Sequence, residues 1–190
     1  MCISRRRLRG VTLVELLVFI VIVGIAVAGV LSVLTYGTRH SADPLRRKQA
    51  LMLAEGLLEE VELAQFTYCE PNSANSDSAG SVAACATPET WGPEPSDLVL
   101  GRPFDNVNDY AFANGRPFDV NGVLSDATGT SLGLAGYSAT LLVEPANLNG
   151  ISGGTTGDPD VLHLVVTVTY DAGQSVTLDG YRTRYAPTVQ

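Results

Sequence analysis

A run of 21 residues without a charged side chain, from Leu16 to Tyr36, constrains this 190-residue chain more than any other feature. As an α-helix rising about 1.5 Å per residue, it would extend about 31 Å, close to the hydrocarbon thickness of a bilayer. A secretory signal peptide has a shorter apolar core, about 7–15 residues, followed by a cut site of small residues. No such site follows this run. The sequence therefore predicts a membrane-spanning helix that the mature protein retains.

Basic residues immediately before the run predict its orientation. Four arginines, Arg5, Arg6, Arg7 and Arg9, precede Gly10. Because basic residues accumulate on the cytoplasmic side of a membrane, we expect a single-pass inner-membrane protein with a cytoplasmic N-terminus and a periplasmic remainder.

The charge of the remaining chain excludes some partners. The whole sequence has a net charge of −8, and without these four arginines eight basic side chains face 20 acidic ones, a net charge of −12. Nucleic-acid affinity comes largely from lysines and arginines that neutralise phosphates. Anionic lipid surfaces would repel such a product as well. We expect no nucleic-acid partner.

The junction between the basic and apolar segments resembles a known processing signal. RRRLRG followed by VTLVELLVFIVIVG resembles the class III signal of type IV prepilins and type II secretion pseudopilins. The resemblance implies cleavage after Gly10 by prepilin peptidase, N-methylation of the new terminus at Val11, and helical filaments built with other pilin subunits. Family members usually have Phe where this chain has Val11. Glu15, the fifth mature residue, would neutralise the terminal amine of a neighbouring subunit; the alternative is an interfacial residue of a plain anchor helix.

A longer stretch resembles one branch of these proteins. VFIVIVGIAVAGVLSVLTYGTRHSADPLRRKQALMLAEGLLEEVELAQFTYCEP and the later FDNVNDY resemble minor prepilins of the mannose-sensitive haemagglutinin (MSHA) pilus. This resemblance implies a low-abundance pilus subunit, in the filament or in its initiation or tip complex. A type II secretion minor pseudopilin is the nearest rival, because it uses the same signal. A membrane-anchored module that binds a surface receptor is the second alternative.

Residues 37–68 predict an amphipathic helix. Its apolar face is formed by Leu45, Ala50, Leu51, Ala54, Leu57, Leu58, Val61, Leu63 and Phe66, at spacings of three and four. Either a new helix begins at Pro44, capped by Asp43, or one helix continues through Pro44 with a kink. The long spine helix of type IV pilins favours continuation. We divide the chain into a leader (1–10), a transmembrane and assembly helix (11–36), the amphipathic helix (37–68) and a β-rich head (69–190).

Three segments near the C-terminus predict antiparallel strands: Tyr137–Val143, Val161–Tyr170 and Ser175–Arg184. In the second strand, large apolar residues at even positions alternate with His163, Thr167 and Thr169, so one face should be apolar and receive the helix. The expected fold class is α+β. It is type IV pilin-like, with a long N-terminal helix packed on an antiparallel β-sheet head.

Two cysteines in the predicted exported part, Cys69 and Cys85, favour a disulfide. They enclose a loop rich in Ser, Asn, Ala and Gly that has little to bury, and an exported compartment permits oxidation. A zinc site is the competing interpretation, but no histidine lies near this pair in the sequence.

The segment 70–136 is dense in turn residues and contains GRPFD twice, at Gly101–Asp105 and Gly115–Asp119. One interpretation is a repeated loop in which Pro fixes a turn, Phe enters the core and Asp caps a backbone amide. The other is a calcium site with oxygen ligands from Asp105, Asn106, Asn108 and Asp109. Calcium is the one cofactor that the sequence leaves open.

The sequence offers no catalytic constellation. Its two histidines are His40, beside the predicted membrane segment, and His163, on a predicted strand. A histidine that alternates with Val and Thr is typical of a sheet residue. No nucleophile elbow, zinc-binding H-E-x-x-H helix or phosphate loop occurs. We therefore expect a protein that is not an enzyme.

Overall fold

The computed structural model of the chain describes residues 12–171 and 173–184, without the side chains of residues 36–43. The chain divides into two compact units, Met1–Leu45 and Arg46–Gln190. The first contains the predicted membrane-spanning segment and the second contains the β-rich part.

Helix α1 spans Leu13–Leu63. Within it, Leu13–Thr35 is long and apolar enough to cross a membrane, and the side chains of this stretch are exposed. The hydroxyl groups of Ser32 and Thr35 donate to the carbonyl oxygens of Ala28 and Leu31, at 2.9 and 2.8 Å. Since these bonds stay inside the helix, the two polar side chains fit an apolar surrounding.

Pro44 lies inside α1, so the continuous helix is confirmed and a separate helix beginning at Pro44 is wrong. The helix ends at Leu63, five residues before the predicted 68. From there the chain pairs with another segment: Gln65 N donates to Asp105 O at 3.0 Å, and Val107 N donates to Gln65 O at 2.8 Å. This pairing takes the backbone out of the helix.

The second unit contains short elements followed by long strands. Helix α2 spans Pro95–Leu100, and 3₁₀ turns span Val82–Ala84 and Val107–Tyr110. The strands are β1 (Asp119–Val120), β2 (Val123–Leu124), β3 (Tyr137–Pro145), β4 (Gly154–Thr155), β5 (Asp158–Pro159), β6 (Val161–Tyr170) and β7 (Gln174–Thr183). Strands β1 and β2, and β4 and β5, form antiparallel pairs.

The main sheet has three antiparallel strands in the order β3-β6-β7. Leu141 faces Val166 in β6, which faces Leu178 of β7 on its other side. The three predicted strands are confirmed to within two residues at each end. The predicted apolar face of β6 is also confirmed, because Leu162, Leu164, Val166, Val168 and Tyr170 are all buried. The α+β fold is therefore the observed one, and it is consistent with a type IV pilin fold.

The core of the second unit combines this sheet face with one stripe of α1. The stripe consists of Ala50, Ala54, Leu57 and Val61, which are buried in one cluster with the β6 residues. Spacings of four, three and four keep the stripe on one side of the helix. The predicted face was too broad, because Leu45, Leu51 and Leu63 are exposed. Only the narrower stripe packs in the buried cluster with the three-stranded sheet.

The two copies of GRPFD lie beside this core. Phe104 and Phe118 are both buried, as the loop interpretation predicted. The Phe104 ring packs edge-on against Tyr110, with ring centroids 4.9 Å apart. The Arg102 guanidinium lies over the Phe118 ring, 4.9 Å from its centroid.

Arg102 joins four segments of the chain. It donates to both carboxylate oxygens of Glu60 in α1, at 2.8 and 2.7 Å. It also donates to the carbonyl oxygens of Phe118 and Ser125, both at 3.0 Å. Tyr110 Oη donates to the same Glu60 carboxylate at 2.9 Å. The buried ion pair therefore has hydrogen bonds beyond the pair itself, which a buried pair needs in order to offset its desolvation.

Candidate functional site

The predicted cleavage and methylation positions, Gly10 and Val11, lie outside the described residues. Cleavage after Gly10 and N-methylation of Val11 therefore remain predictions.

Glu15 lies in the first turn of α1, and its side chain is exposed. Its backbone N–H donates to Thr12 Oγ1 at 3.3 Å, so Thr12 caps the helix and Glu15 occupies the third helical position. A carboxylate there is favoured by the positive end of the helix dipole. The structure thus gives Glu15 a local role at the helix start. Its pairing with a neighbouring subunit stays a prediction.

The disulfide between Cys69 and Cys85 is confirmed, with an S–S distance of 2.02 Å. Next to it the backbone pairs antiparallel, because Glu70 N donates to Thr87 O and Glu89 N donates to Tyr68 O, both at 3.1 Å. The cross-link and these bonds hold Glu70 and Glu89 side by side.

Five carboxyl groups converge here, which we call the acidic cluster: Glu70, Glu89, Glu94, Asp97 and Asp109. Carboxylate oxygens of Glu70, Glu89 and Glu94 lie within 4.8 Å of one another, and so do those of Glu94, Asp97 and Asp109. Glu94 belongs to both groups and is the centre of the cluster.

Local backbone contacts position the members of the cluster. Asp97, in the first turn of α2, accepts a hydrogen bond from Glu94 N at 2.9 Å. Asp109, in the 3₁₀ turn, accepts through Oδ2 from Asn106 N at 2.9 Å. The Asn106 amide in turn donates to Glu89 Oε2 at 2.9 Å. Each aspartate therefore has one oxygen fixed to the backbone of its own turn, a common arrangement at helix starts.

The electrostatics of the acidic cluster are unfavourable for full ionisation. Burial, followed by repulsion from Glu70 and Glu94, raises the pKa of Glu89 to about 8. Burial, followed by repulsion from Glu89, raises the pKa of Asp109 to about 10. Burial and the contact with Glu94 likewise raise the pKa of Glu70 to about 7 and that of Asp97 to about 6. Desolvation and like charge both disfavour the carboxylate form.

Glu94 differs from its neighbours. Burial raises its pKa, but the hydrogen bond from Thr90 and the contacts with Asp97, Asp109 and Glu70 outweigh burial and lower the pKa to about 2.

Several carboxylate oxygens of the acidic cluster are buried without a hydrogen-bond partner among the described residues. They are Glu70 Oε1, Glu89 Oε1, Glu94 Oε2 and Asp109 Oδ1. Asp105 Oδ1, beside the cluster, is in the same state. Most buried polar atoms in proteins have a partner, so this group of oxygens is unusual.

The predicted calcium ligands differ in their surroundings. Asp109 joins the acidic cluster, and Asp105 acts on it through repulsion of Glu70 and Glu89. Asn106 and Asn108 are buried, and their side-chain oxygens have no partner among the described residues. Among the described residues, Asp105 is in neither group of carboxylates that lie within 4.8 Å of one another, and calcium binding by these four residues stays a prediction. Sequence reasoning missed Glu70, Glu89, Glu94 and Asp97; only E-P-S-D, a helix-start pattern, hinted at the last two.

His163 lies on β6, as predicted. Its ring nitrogens lie 3.6 Å from Glu144 and 3.4 Å from Asp179, on the two flanking strands. The ring stacks on Tyr181 with centroids 4.7 Å apart. These contacts give His163 a cross-strand packing role. The side chain of His40 lies outside the described set.

Comparison with known proteins assigns the N-terminal signal. The family described as "Prokaryotic N-terminal methylation motif" matches residues 5–31, a span that includes Gly10, Val11 and Glu15. No curated protein matches the chain, and no solved structure matches it. The motif implies processing by prepilin peptidase and assembly with other pilin subunits. The chain thus carries a type IV prepilin-like class III signal on a helix that is long and apolar enough to cross a membrane, which supports a pilin or pseudopilin subunit.

Proposed function

We propose that this protein is a minor pilin of a type IV, MSHA-like pilus, with the part that minor prepilin D has in that system. Prepilin peptidase cuts after Gly10, Val11 is methylated, and the subunit enters the filament or its initiation or tip complex. The observation that carries the assignment to pilin-like subunits is the methylation motif over residues 5–31, and the choice of the MSHA branch rests on the longer sequence resemblance. The α+β head behind a long apolar helix supports it.

The proposed assembly step depends on the first turn of α1. Before assembly, the uncharged stretch that follows Glu15 spans the inner membrane, with the N-terminus in the cytoplasm and the head in the periplasm. In the filament the same stretch packs against neighbouring helices. There the Glu15 carboxylate pairs with the Val11 amine of an adjoining subunit, because an isolated charge in an apolar surrounding is costly. The role is structural and requires no catalysis.

Substitution of Glu15 tests this step. We expect Glu15→Ala to insert and be cleaved normally but to be depleted at least tenfold from sheared surface fibres, since a buried amine would lose its counter-charge; this corresponds to about 1.4 kcal/mol or more. Glu55→Ala, which removes an exposed acid from the same helix, is the matched control. Normal incorporation of Glu15→Ala would contradict the charge pairing.

The processed mass separates a filament subunit from a simple anchored module. Loss of residues 1–10 with a methylated Val11 supports assembly, whereas an intact leader supports a membrane-anchored receptor-binding module. A bulky residue at Gly10 should leave the leader uncut and the protein in the inner membrane.

The remaining rival is a type II secretion minor pseudopilin, which shares the signal. Recovery of the processed protein from surface fibres, in cells that secrete normally after its deletion, supports the pilus. A secretion defect on deletion, without recovery from fibres, would identify the pseudopilin.

A further inference from the structure

We propose that the acidic cluster of the head binds a hard divalent cation, with Ca²⁺ preferred, at a site centred on Glu94. The inference rests on the arrangement of the second unit alone and does not depend on the proposed pilus function.

The spacing of the oxygens suits such an ion. Ca²⁺ binds oxygen ligands at about 2.3–2.6 Å, so two oxygens on opposite sides of one ion lie up to about 5 Å apart. Both groups of the acidic cluster keep their oxygens within 4.8 Å. Because Glu94 is common to both groups, an ion beside its carboxylate would have ligands from one group within reach, either Glu70 and Glu89 or Asp97 and Asp109.

Unpartnered buried oxygens are the second, independent observation. Asp109 is 0% exposed and Glu89 is 7% exposed, and each has one carboxylate oxygen without a partner among the described residues. Asn106 fixes the other oxygen of each: its N–H binds Asp109 Oδ2, and its amide binds Glu89 Oε2. Glu89 and Asp109, which carry the remaining oxygens Glu89 Oε1 and Asp109 Oδ1, each have a carboxylate oxygen within 4.8 Å of one of Glu94. A buried oxygen without a partner is costly, and a cation would satisfy it.

Charge balance points the same way. Among the residues that the structure describes, no lysine or arginine forms an ion pair with the five carboxyl groups. Arg184 acts on Glu89 from a distance, but its guanidinium donates to Pro159 O at 2.9 and 2.7 Å and lies over the Phe66 and Tyr68 rings. A cation would replace the mutual repulsion of the carboxylates with attraction.

The donor set selects the kind of cation. All of the candidate ligands are carboxylates, which suit Ca²⁺, Mg²⁺ or Mn²⁺, whereas Zn²⁺ prefers Cys and His. The ligands come from turns and loops with unequal reach, and Ca²⁺ accepts six to eight oxygens in irregular geometry. Mg²⁺ requires near-octahedral ligands and keeps its waters, so it should bind more weakly.

Calorimetric titration of the full-length protein in detergent, after removal of cations with EGTA, tests the proposal. With CaCl₂ we expect saturable binding of about one ion per chain, with a Kd of about 1 mM or lower, as in extracellular calcium modules. The melting temperature should rise as Ca²⁺ is added, because an ion that binds only the folded state stabilises it. MgCl₂ should bind at least tenfold more weakly.

Two variants separate a cation site from a structural cluster. Asp109→Asn imitates the protonated carboxyl group, so without Ca²⁺ its melting temperature should equal or exceed that of the parent, while Ca²⁺ binding falls at least tenfold. Glu94→Gln should lose Ca²⁺ binding as well and serves if the first variant fails to fold. Asp179→Asn, an exposed acid on β7, is the control and should bind like the parent.

The proposal is overturned if the parent shows no saturable heat and no change in melting temperature at millimolar Ca²⁺. It is also overturned if folded Asp109→Asn and Glu94→Gln bind Ca²⁺ like the parent. Equal affinity for Mg²⁺ would contradict the preference for calcium.

Discussion

Gly101–Asp105 and Gly115–Asp119 share the sequence GRPFD but surround their arginines differently. The Arg102 side chain is 2% exposed and binds Glu60, whereas the Arg116 side chain is 44% exposed and binds Asp119 within its own copy. The two phenylalanines, in contrast, are both in the core. The two copies of the pentapeptide therefore have the same environment at Phe and different environments at Arg.

The difference follows from what each copy meets. The first copy lies beside the end of α1, where Glu60 offers a carboxylate, and near the carbonyl oxygens of Phe118 and Ser125. The Arg116 copy has its partner three residues away. The comparison shows that local sequence decides that Phe is buried, while the tertiary surroundings decide whether Arg is a core residue or a surface one.

The arginines should give the largest difference between the copies. We expect Arg102→Met to lower the free energy of unfolding by about 3–5 kcal/mol, because it leaves the Glu60 carboxylate buried without its counter-charge. Arg116→Met should cost about 0–1 kcal/mol, as exposed ion pairs do. Urea unfolding of the full chain, followed by Trp91 fluorescence, measures both. A double variant, Arg102→Met with Glu60→Leu, should recover part of the loss. Equal losses for the two single variants would contradict the comparison.

The phenylalanines should respond alike. Phe104→Ala and Phe118→Ala each remove a buried ring, and each should lower the free energy of unfolding by about 3–5 kcal/mol in the same urea experiment. Phe112→Ala, which removes a partly buried ring stacked on Phe104, should cost less than either. If Phe104→Ala or Phe118→Ala unfolds like the parent, the two phenylalanines do not stabilise the core equally.

Substitutions of the two aspartates should change stability in opposite directions and by small amounts. Asp105 repels the acidic cluster, so Asp105→Asn should raise stability in EGTA, whereas Asp119→Asn removes an ion pair and should lower it. Each change should be under about 1 kcal/mol. Paired melting curves of the two variants in EGTA measure the effect. Shifts of the same sign would show that the two aspartates do not have opposite roles.

Local patterns explain what the sequence predicted well. The alternation in β6 gives its buried face directly, since successive side chains of a strand point to opposite sides. The membrane-spanning helix and the disulfide could likewise be predicted, because the apolar run and the cysteine pair are each visible in one short segment of the sequence. The leucines of α1 were harder: Leu51 and Leu63 fit a helical face by spacing, but a three-stranded sheet is too narrow to cover them.

The acidic cluster could not be predicted from spacing. Glu70 and Asp109 are far apart in the chain, and they belong to one cluster because residues 65–70 pair with two later segments, 87–89 and 105–107. Those pairings have no periodic signature in the sequence. Asp109 was predicted as a calcium ligand in a segment of turn residues, but the glutamates that lie near it were not predicted.

Because of the disulfide, the arrangement of the head depends on whether the surroundings are oxidising or reducing. Cys69 and Cys85 form their disulfide in an oxidising compartment. Glu70 directly follows Cys69, and Glu89 lies in the segment that pairs with the backbone on either side of Cys69. In a reducing environment the repelling acids have no covalent restraint and can move apart. The restraint on these loops therefore depends on the redox state of the surroundings.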